Sequence, residues 1–500
     1  MERIKADDLY AYRFLSEVAV APDGAHAAFV SRRARDDGKG YYACIHLLDT
    51  ATGAVRPLTG NGDEAAFRWL DANTLIFPSC RTGDQPGKTA FYRLDIRGGE
   101  AERAFTIPLS VKQFHPLPDG RWFILTRRPM TSPEDLPADQ PQPGRDYTVF
   151  DELPFWADGL GMINGTRMSG WIFDPADGSV NQITPPTYDM EGAAVSPEGS
   201  RILYWGVSFE GIRPDYRQLM LYDLATGQTR SLVPDGKYRI TQVGWWGTDI
   251  WFEGGDPHTS VSRSPKLYLL NPATGDCRTF CAPDGFLGTS AIGDMSLGGG
   301  KVCAVQGDSL YAVRLQRDVT ALLRFDKAGN FAPVASYEGI ACFDIIGENA
   351  YLAAFRDHRP QELYRQPLSG GEPERLTQFH DAFLETRQIS RPEHITFRSR
   401  DGQEVDGWVI RPSGYEPGKK YPGVLNIHGG PKAAYGSQYY HEMQLLAAGG
   451  RFVFYTNPHG SDGRGQDYFD LVGRWGCCFA NKLRKFFKQS AKKKRRLKGF

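Results

Sequence analysis

A recurring turn is the feature of this sequence that most restricts its fold. Each copy follows a strand-like apolar segment, contains glycine and, in six of the seven copies, also contains Asp or Asn. Successive turn glycines lie 45, 80, 49, 48, 54 and 41 residues apart. The copies are Leu48–Gly53, Leu94–Gly99, Phe173–Gly178, Tyr222–Gly227, Leu270–Gly275, Phe325–Gly329 and Gln366–Gly371. Since strand, glycine turn and strand make one hairpin, the sequence predicts seven hairpins.

A second set of turns lies between these hairpins. Examples are Ala21–Gly24, Pro118–Gly120 and Ser196–Gly199, each of which precedes another strand-like segment. Two hairpins in each period of roughly 40–50 residues make a four-stranded propeller blade. Residues 18–385 are therefore predicted to form an all-β seven-bladed propeller. A β-sandwich or several unrelated β domains are the alternatives, but a closed ring removes the exposed edges that so many short strands would present.

The 80-residue interval holds one period and an insertion from about Arg128 to Asn164. Within it, Pro137, Pro141 and Pro143 precede the aromatic segment Tyr147–Trp156. A long excursion from a rigid scaffold is more often functional than incidental. We expect this insertion to line a substrate entrance.

The pattern changes in residues 386–476, where a predicted hairpin leads into the buried strand Gly423–Ile427. A helix is predicted over residues 437–448, because apolar residues share one face and two glycines follow it. Phe452–Thr456 then returns as a strand. A strand, a loop, a helix and a second strand are the start of a doubly wound α/β sheet.

The loop after the first of these strands is His428-Gly429-Gly430-Pro431. Such a loop places backbone N–H donors at the carboxyl end of a hydrolase strand. Glycine allows the tight turn and lets an oxyanion approach the backbone. Because proline has no N–H, Gly429 or Gly430 must supply the donor. Taken alone, a glycine pair is more often only a turn.

The second strand leads into Asn457-Pro458-His459-Gly460-Ser461-Asp462-Gly463-Arg464-Gly465, and Gly473-Arg474-Trp475-Gly476 follows. A propeller, His-Gly-Gly-Pro and these two motifs, in that order, resemble the prolyl oligopeptidase family of serine peptidases, nearest its acylaminoacyl-peptidase and dipeptidyl-peptidase-like branch. Asp8-Leu9-Tyr10 and the segment 151–156 also resemble that branch. His459 stands where many members have Arg.

The resemblance implies a propeller followed by an α/β-hydrolase domain that hydrolyses short or N-acylated peptides through a Ser-His-Asp triad. It implies His428, Gly429 and Gly430 as the oxyanion loop, a peptide as the substrate, and no cofactor or metal. Glu152 is a candidate contact for the α-ammonium of a peptide, because an acid on the insertion could pair with it. A solvated loop acid is the alternative.

The catalytic serine of this family lies in a Gly-x-Ser-x-Gly pentapeptide, and this sequence contains none. Gly307-Asp308-Ser309-Leu310 matches part of that pattern by letters only, since it falls within a predicted blade. The triad is therefore expected to be absent from the chain, and the chain is expected to be inactive alone. The alternative function is a β-propeller binding scaffold with a vestigial hydrolase segment.

Residues 477–500 carry a charge of +10, which leaves −10 on residues 1–476 of a chain with zero net charge. Nucleic-acid binding by the acidic main part is not expected. A frameshift into A-rich DNA would produce such a tail, so we expect a C-terminally truncated peptidase with a non-native end. A basic amphipathic helix that binds an anionic membrane or an acidic partner is the alternative.

Four segments are thus predicted: an N-terminal segment 1–17, the propeller 18–385, the first part of a hydrolase domain 386–476, and the basic tail. No apolar stretch is long enough to span a bilayer and none resembles a signal peptide, so a cytoplasmic location is predicted. The eight cysteines show no disulfide or metal spacing. His428, His441 and His459 are each expected to have a local structural role rather than to bind a metal.

Overall fold

The computed structural model describes residues 1–130, 147, 149–259, 263–289, 291–399, 402–429 and 432–469. Its described residues are mainly β-strands. Helices are few: a 3-10 helix at Ala6–Ala11 and α-helices at Asp381–Thr386, His441–Ala448 and Gln466–Phe469. The predicted tail, 477–500, and the segment 473–476 lie outside the described residues.

Seven four-stranded antiparallel sheets follow one another along the chain, each with its strands in chain order. The first is Phe14–Val20, His26–Ala34, Tyr41–Asp49, Val55–Pro57; the second Arg68–Trp69, Thr74–Pro78, Thr89–Asp95, Glu102–Ile107; the third Val111–Pro116, Trp122–Pro129, Thr166–Phe173, Val180–Gln182; the fourth Tyr188–Val195, Arg201–Ser208, Gln218–Asp223, Thr229–Ser231. The fifth is Arg239–Trp246, Asp249–Gly255, Lys266–Leu270, Cys277–Cys281; the sixth Cys303–Gln306, Ser309–Gln316, Val319–Phe325, Phe331–Tyr337; the seventh Gly339–Ile346, Asn349–Phe355, Glu362–Pro367, Glu374–Arg375.

All seven predicted turns join the third and fourth strands of a sheet, so the predicted hairpins are confirmed. Their glycines have positive φ, from +69° to +144°, a conformation that residues with a Cβ adopt only with strain. The Asp or Asn closes the turn on the backbone, as where Asp49 Oδ1 accepts the N–H groups of Ala51 and Thr52. Asp223 and Asn271 make the same two bonds in their own turns.

The second set of turns joins the first and second strands of a sheet, as predicted. The insertion leaves the third sheet after Pro129 and returns at Thr166. Its described part contains a short hairpin, Trp156–Ala157 with Gly161–Met162.

Two compact units divide the chain: Met1–Ala72, Ser262–Ser264 and Pro283–Phe500 form one, and Asn73–Val261 with Pro265–Ala282 forms the other. In the first unit, buried side chains join the sixth sheet to the seventh and the seventh to the first, as where Phe343 packs with Val313 and Cys342 with Phe29. In the second, they join the third to the fourth and the fourth to the fifth. The closed seven-bladed ring stays a prediction.

An eighth sheet, in the first unit, begins the second predicted domain. Its strand order is Pro392–Arg398, Glu404–Ile410, Phe452–Asn457, Gly423–Asn426. The last two run parallel and are connected through the helix His441–Ala448, so the predicted order of strand, helix and strand is confirmed. The predicted burial of the first strand is wrong, because the residues of Gly423–Asn426 are exposed or only half-buried and Ile427 lies beyond the strand. Side chains from the helix and the sheet share one core that includes Trp408, Met443, Ala447 and Tyr455.

The helix begins four residues later than predicted from the sequence. The carboxylate of Asp294 accepts hydrogen bonds from the N–H groups of His441 and Glu442, at 2.9 and 2.8 Å. A carboxylate from outside the helix thus caps its first turn, where backbone N–H groups have no partner within the helix. The sequence pattern could not show this start, because its cap lies 147 residues earlier in the chain.

The N-terminal segment packs on the same unit. Glu2–Arg3 pairs in parallel with Arg387–Gln388, and Arg387 also binds the carboxylate of Asp8 at 2.8 and 3.0 Å. Tyr12, which is fully buried, hydrogen-bonds to the hydroxyl of Tyr439 at 2.8 Å. In the described ranges, no helix combines the length and apolar character that crossing a bilayer requires.

Candidate active site

Two loops leave the carboxyl ends of the parallel strands and meet side by side. The described part of one comprises residues 427–429 and 432–440, and the other comprises residues 458–465. The side-chain amide of Asn457 joins them, because it accepts the N–H of Tyr435 and donates to the carbonyl of Tyr435, both at 2.8 Å. Parallel strands bring their carboxyl ends to one edge of a sheet, which is where such folds place ligand sites.

His428 belongs to the first loop, and its ring faces the second loop. Its Nε2 is 3.1 Å from the hydroxyl oxygen of Ser461, and its Nδ1 is 3.3 Å from the carbonyl oxygen of Gly429. The ring also contacts the ring of Tyr435 edge to face, at a centroid distance of 5.1 Å. Burial lowers the pKa of His428. The imidazole is therefore neutral at physiological pH and connects the first loop to the second.

Gly429 is exposed at the open side of this arrangement. A Cβ built on it would have no atom within 4 Å, and among the described residues no acceptor takes its N–H. A backbone N–H without an acceptor at the end of a strand is what the predicted oxyanion loop requires. Gly430 lies outside the described residues, so the choice between the two predicted donors stays open.

The second loop is held from the opposite side by Arg317, in the turn between two strands of the sixth sheet. Its N–H donates to the carbonyl of Gly463 at 2.6 Å. A Cβ on Gly463 would come within 2.6 Å of the Arg317 nitrogen, and the φ of Gly463 is +87°. Only glycine fits this contact. The first loop binds the second as well, since Lys432 N–H donates to the Gly460 carbonyl.

A charged cluster around Asp406 surrounds this contact. The buried carboxylate accepts hydrogen bonds from Arg317, from Arg464 Nε at 2.8 Å and from His394 Nε2 at 2.9 Å. Burial alone would raise the pKa of Asp406, but the hydrogen bonds from Arg317 and Arg464 outweigh it and lower that pKa. A cavity of about 370 Å³ adjoins the cluster. The guanidinium groups of Arg317 and Arg464, which line this cavity, are already bound to carboxylates. We therefore assign these charges a role in holding the fold rather than in binding a ligand.

His459 and Lys432 pack on aromatic rings beside the loops. The His459 ring lies 4.6 Å from that of Tyr468, edge to face, and Lys432 Nζ lies 3.5 Å from the ring centre of Phe286 and 4.9 Å from that of Phe469. His441, predicted to lie on a helix face, is the buried first residue of its helix, and its Nδ1 is 3.0 Å from the Tyr12 hydroxyl. In the described part of the chain no group of three or more His, Cys, Asp or Glu side chains is placed to hold a metal ion.

Glu152, the predicted ammonium contact, is buried rather than solvated. Its carboxylate accepts two hydrogen bonds from Arg167, at 2.5 and 3.0 Å, and one from the N–H of Gly165 at 2.8 Å. The exposed fractions of the two side chains are 4% and 1%. The solvated-acid alternative is therefore wrong. The ammonium contact stays a prediction, now for a carboxylate that already has a charged partner.

The insertion exposes several apolar side chains, and Ile212, from the connection between the second and third strands of the fourth sheet, is exposed as well. We call this set the insertion surface: Phe150, Leu153, Phe155, Trp156, Leu160, Met162 and Ile212. The rings of Phe150 and Phe155 stack at 4.6 Å, and Ile212 joins through a backbone bridge to Leu153. Contiguous apolar patches on a protein surface commonly bind ligands or partners.

The sequence pattern identified His428 and Gly429 but assigned no role to Ser461, Arg317 or Asp406. Ser461 lies inside the glycine-rich motif that follows Asn457, so the sequence drew attention to this segment. It gave no sign that the Ser461 hydroxyl contacts His428. Arg317 and Asp406 carry no local signal, because they are 89 residues apart in the chain and meet only through the fold.

No family model matches the chain, but several known peptidases are similar to it. An uncharacterized peptidase of Bacillus subtilis is 29% identical over 486 residues, covering 94% of this chain and 73% of the relative. A dipeptidyl-peptidase 5 of Arthroderma otae is 33% identical over 498 residues, covering 91% and 67%. Porphyromonas gingivalis has a dipeptidyl-peptidase 5 that is 23% identical, covering 76% and 44%.

Solved structures share the fold. The acylaminoacyl peptidase of Pyrococcus horikoshii has a TM-score of 0.77 at 20% identity, covering 97% of this chain and 72% of that one. An acylaminoacyl peptidase in complex with Z-Gly-Gly-Phe-chloromethyl ketone matches with the same TM-score and identity, covering 97% and 73%. A puromycin hydrolase has a TM-score of 0.66 at 16% identity, covering 99% and 74%.

Proposed function

The chain belongs to the prolyl oligopeptidase family of serine peptidases, and we propose that its part in that chemistry is to bind a short or N-acylated peptide and to stabilise the oxyanion formed from the attacked carbonyl. The proposal places the seven-bladed propeller at 18–385 and the first part of the hydrolase domain at 386–476. Seven successive four-stranded sheets and the mixed eighth sheet support this division.

The turn at His428 and Gly429 carries the proposal. It follows a strand with a parallel neighbour, its glycine is exposed, and among the described residues no acceptor takes the glycine N–H. A hydrogen-bond donor directed at a developing oxyanion is worth about 100- to 1,000-fold in kcat in serine peptidases. His428 anchors this turn to the second loop, so the donor is held in place before substrate arrives.

The 500 residues contain no Gly-x-Ser-x-Gly pentapeptide, and we propose that the nucleophile is not among them. Ser309, in the partial match, is buried in the sixth sheet and bonded to Arg324. Ser461 lies beside a histidine, but its exposed fraction is 1%. The other ring nitrogen of that histidine faces a carbonyl instead of the carboxylate that a triad places there. This chain alone is therefore expected to be inactive.

A chimaera tests the proposal. Residues 1–469 are fused to the part of the Bacillus subtilis relative that follows its matched region, and hydrolysis of N-acyl-amino-acid and dipeptidyl chromogenic substrates is measured. We expect activity in the chimaera, none when its elbow serine is replaced by alanine, and none in the 500-residue chain. A chimaera that unfolds cooperatively yet cleaves neither substrate class would contradict the proposal.

The insertion surface favours a second candidate function, a propeller that binds apolar segments of other proteins without cleaving them. Its aromatic side chains, Phe155 and Trp156 among them, are more than one third exposed. Under this alternative the chimaera stays inactive while the 500-residue chain retains apolar peptides in a pull-down. Loss of that retention on replacing Trp156 by Ser would assign the binding to this surface.

A further inference from the structure

We propose that Ser461 is a positioning residue that holds His428 in its Nδ1–H tautomer and thereby fixes the Gly429 turn. The inference rests on the proposed function for its meaning, since the turn matters only if it receives an oxyanion. It can nevertheless be tested without measuring activity. It states which ring nitrogen of His428 carries the proton and that Ser461 helps to keep the proton there.

The first step is the hydrogen-bond chemistry of the ring. A carbonyl oxygen can only accept, so the Nδ1 that faces the Gly429 carbonyl at 3.3 Å must carry a proton to bond it. A neutral imidazole has one N–H, and burial keeps His428 neutral by lowering its pKa. Nε2 is then an acceptor. The hydroxyl 3.1 Å from it, that of Ser461, must be the donor.

The second step is the rigidity of the donor. Ser461 is 1% exposed, and its N–H is bonded to the carbonyl of Pro458 at 3.0 Å. The next residue, Asp462, donates its N–H to the carbonyl of Ala433, and Gly463 is packed on the backbone of Arg317. Fixed on both sides, the Ser461 hydroxyl keeps its place beside the ring.

The third step links the ring to the turn. Once Nδ1 is protonated, the imidazole donates to the Gly429 carbonyl and restrains that end of Gly429. Without the Ser461 donor, the ring is free to adopt the Nε2–H tautomer, which leaves Nδ1 and the carbonyl as two facing acceptors. Such a pair repels, so the turn loses the restraint that keeps its donor preorganised.

The experiment uses the full 500-residue chain labelled with 15N-histidine, with the His428→Gln variant assigning the resonance. Ring 15N shifts report which nitrogen is protonated, and the amide shifts of Gly429, measured in a sample labelled with 15N-glycine, report the conformation of the turn. In the wild type we expect a protonated Nδ1 and a bare Nε2. In Ser461→Ala we expect the ratio of the Nδ1–H to the Nε2–H form to fall about fivefold, the factor that one neutral hydrogen bond contributes, and the amide resonance of Gly429 to move.

Two further variants separate positioning from general structural damage. Ser461→Thr keeps the hydroxyl and should keep the Nδ1–H tautomer. Ser413→Ala removes another buried hydroxyl of the same unit and should change neither readout. An Nε2–H or fully protonated ring in the wild type would overturn the inference, and so would an unchanged tautomer in Ser461→Ala.

These outcomes are distinct from failure of the proposed function. If the tautomer behaves as expected while the chimaera lacks activity, Ser461 still positions His428 and the peptidase proposal alone fails. If the wild-type ring carries its proton on Nε2 while the chimaera is active, the peptidase proposal stands and this inference is rejected.

Discussion

Arg317 donates hydrogen bonds to the buried carboxylate of Asp406 from Nε at 2.9 Å and from its terminal nitrogen at 2.6 Å. Arg317 sits in a turn of the sixth sheet and Asp406 in the eighth, so one side-chain pair joins the repeating sheets to the candidate catalytic sheet. The same Arg317 binds Gly463 through its backbone. The second loop, beside His428, is thus held by a residue of the sixth sheet.

Replacing Asp406 by Asn should lower the free energy of unfolding by about 2 kcal/mol, because a charge-assisted hydrogen bond at a buried carboxylate contributes about 1.5–3 kcal/mol. Urea unfolding measures this. Glu404→Gln is the matched control. Glu404 binds the same two arginines but is about half exposed, so its replacement should lower the stability much less than that of Asp406 does. Equal losses of unfolding free energy in both variants would show that the burial of Asp406 does not strengthen its hydrogen bonds.

Gly463→Ala should displace the second loop, since the added Cβ meets the backbone of Arg317 as well as an unfavourable positive φ. Gly450→Ala is the control, because Gly450 has a φ of +80° with no atom within 4 Å of the built Cβ. Backbone strain alone costs about 1–3 kcal/mol. The Gly463 variant should lose more stability than the control, and the ring 15N shifts of His428 should move only in the Gly463 variant. If the two variants lose equal stability and show the same His428 ring shifts, Arg317 does not constrain the second loop.

Glu338 predicts a pH dependence of stability. Burial raises the pKa of its carboxyl to about 7, although the backbone N–H of His358 donates to both oxygens. Nearby Asp357 raises it further, and Arg391 and Arg356 lower it. Since the folded state binds this proton more tightly than the unfolded state, stability is greatest below the pKa of an unfolded Glu, about 4.3. It falls as the pH rises towards 7.

Glu338→Gln should remove this component, because the amide stays neutral and still accepts from His358. At pH 8 the variant is expected to be more stable than the wild type by on the order of 4 kcal/mol. Below about pH 4 the difference should nearly vanish. Urea unfolding across that range tests this, and parallel curves for the two proteins would contradict it.

Breaking the Glu152–Arg167 pair should destabilise the second unit strongly. Glu152→Gln leaves the Arg167 guanidinium buried without its counter-charge, and loss of one partner of a buried pair costs about 3–5 kcal/mol. Asp151→Asn, at the exposed neighbour, should cost little.

Peptide binding to the same variants tests the predicted ammonium contact. A well-folded Glu152→Gln chain that discriminates free from N-acetylated peptides as well as wild type does would remove Glu152 from substrate recognition. The Asp151→Asn chain serves as the control for the lost negative charge on the insertion.

Local signals predicted the repeated architecture well. Each turn needs a glycine with positive φ and most use an Asp or Asn that bonds to its own backbone, and both requirements are written in a few adjacent residues. The strand, helix and strand after Gly423 were equally visible. The start of the helix at His441 was not, because its capping carboxylate, Asp294, belongs to a loop far back in the chain.

Candidate site residues divide in the same way. His428 and Gly429 were predicted because a glycine turn after a buried strand has a known chemical use. The role of Ser461 depends on a contact across 33 residues. Glu152 shows a different gap, since nothing in the Pro-rich insertion indicated that Arg167 from the returning strand would bury and neutralise its carboxylate. Only the solvated-acid alternative is wrong, and the ammonium contact stays a prediction.

The central claim is that the turn at His428 and Gly429 serves a serine that these 500 residues do not contain. Labelling with a fluorophosphonate probe tests it most directly, with the purified chain and the chimaera compared at equal concentration. The account predicts no labelling of the chain and labelling of the chimaera at its elbow serine. Robust labelling of the 500-residue chain, mapped to any of its own serines, would contradict it.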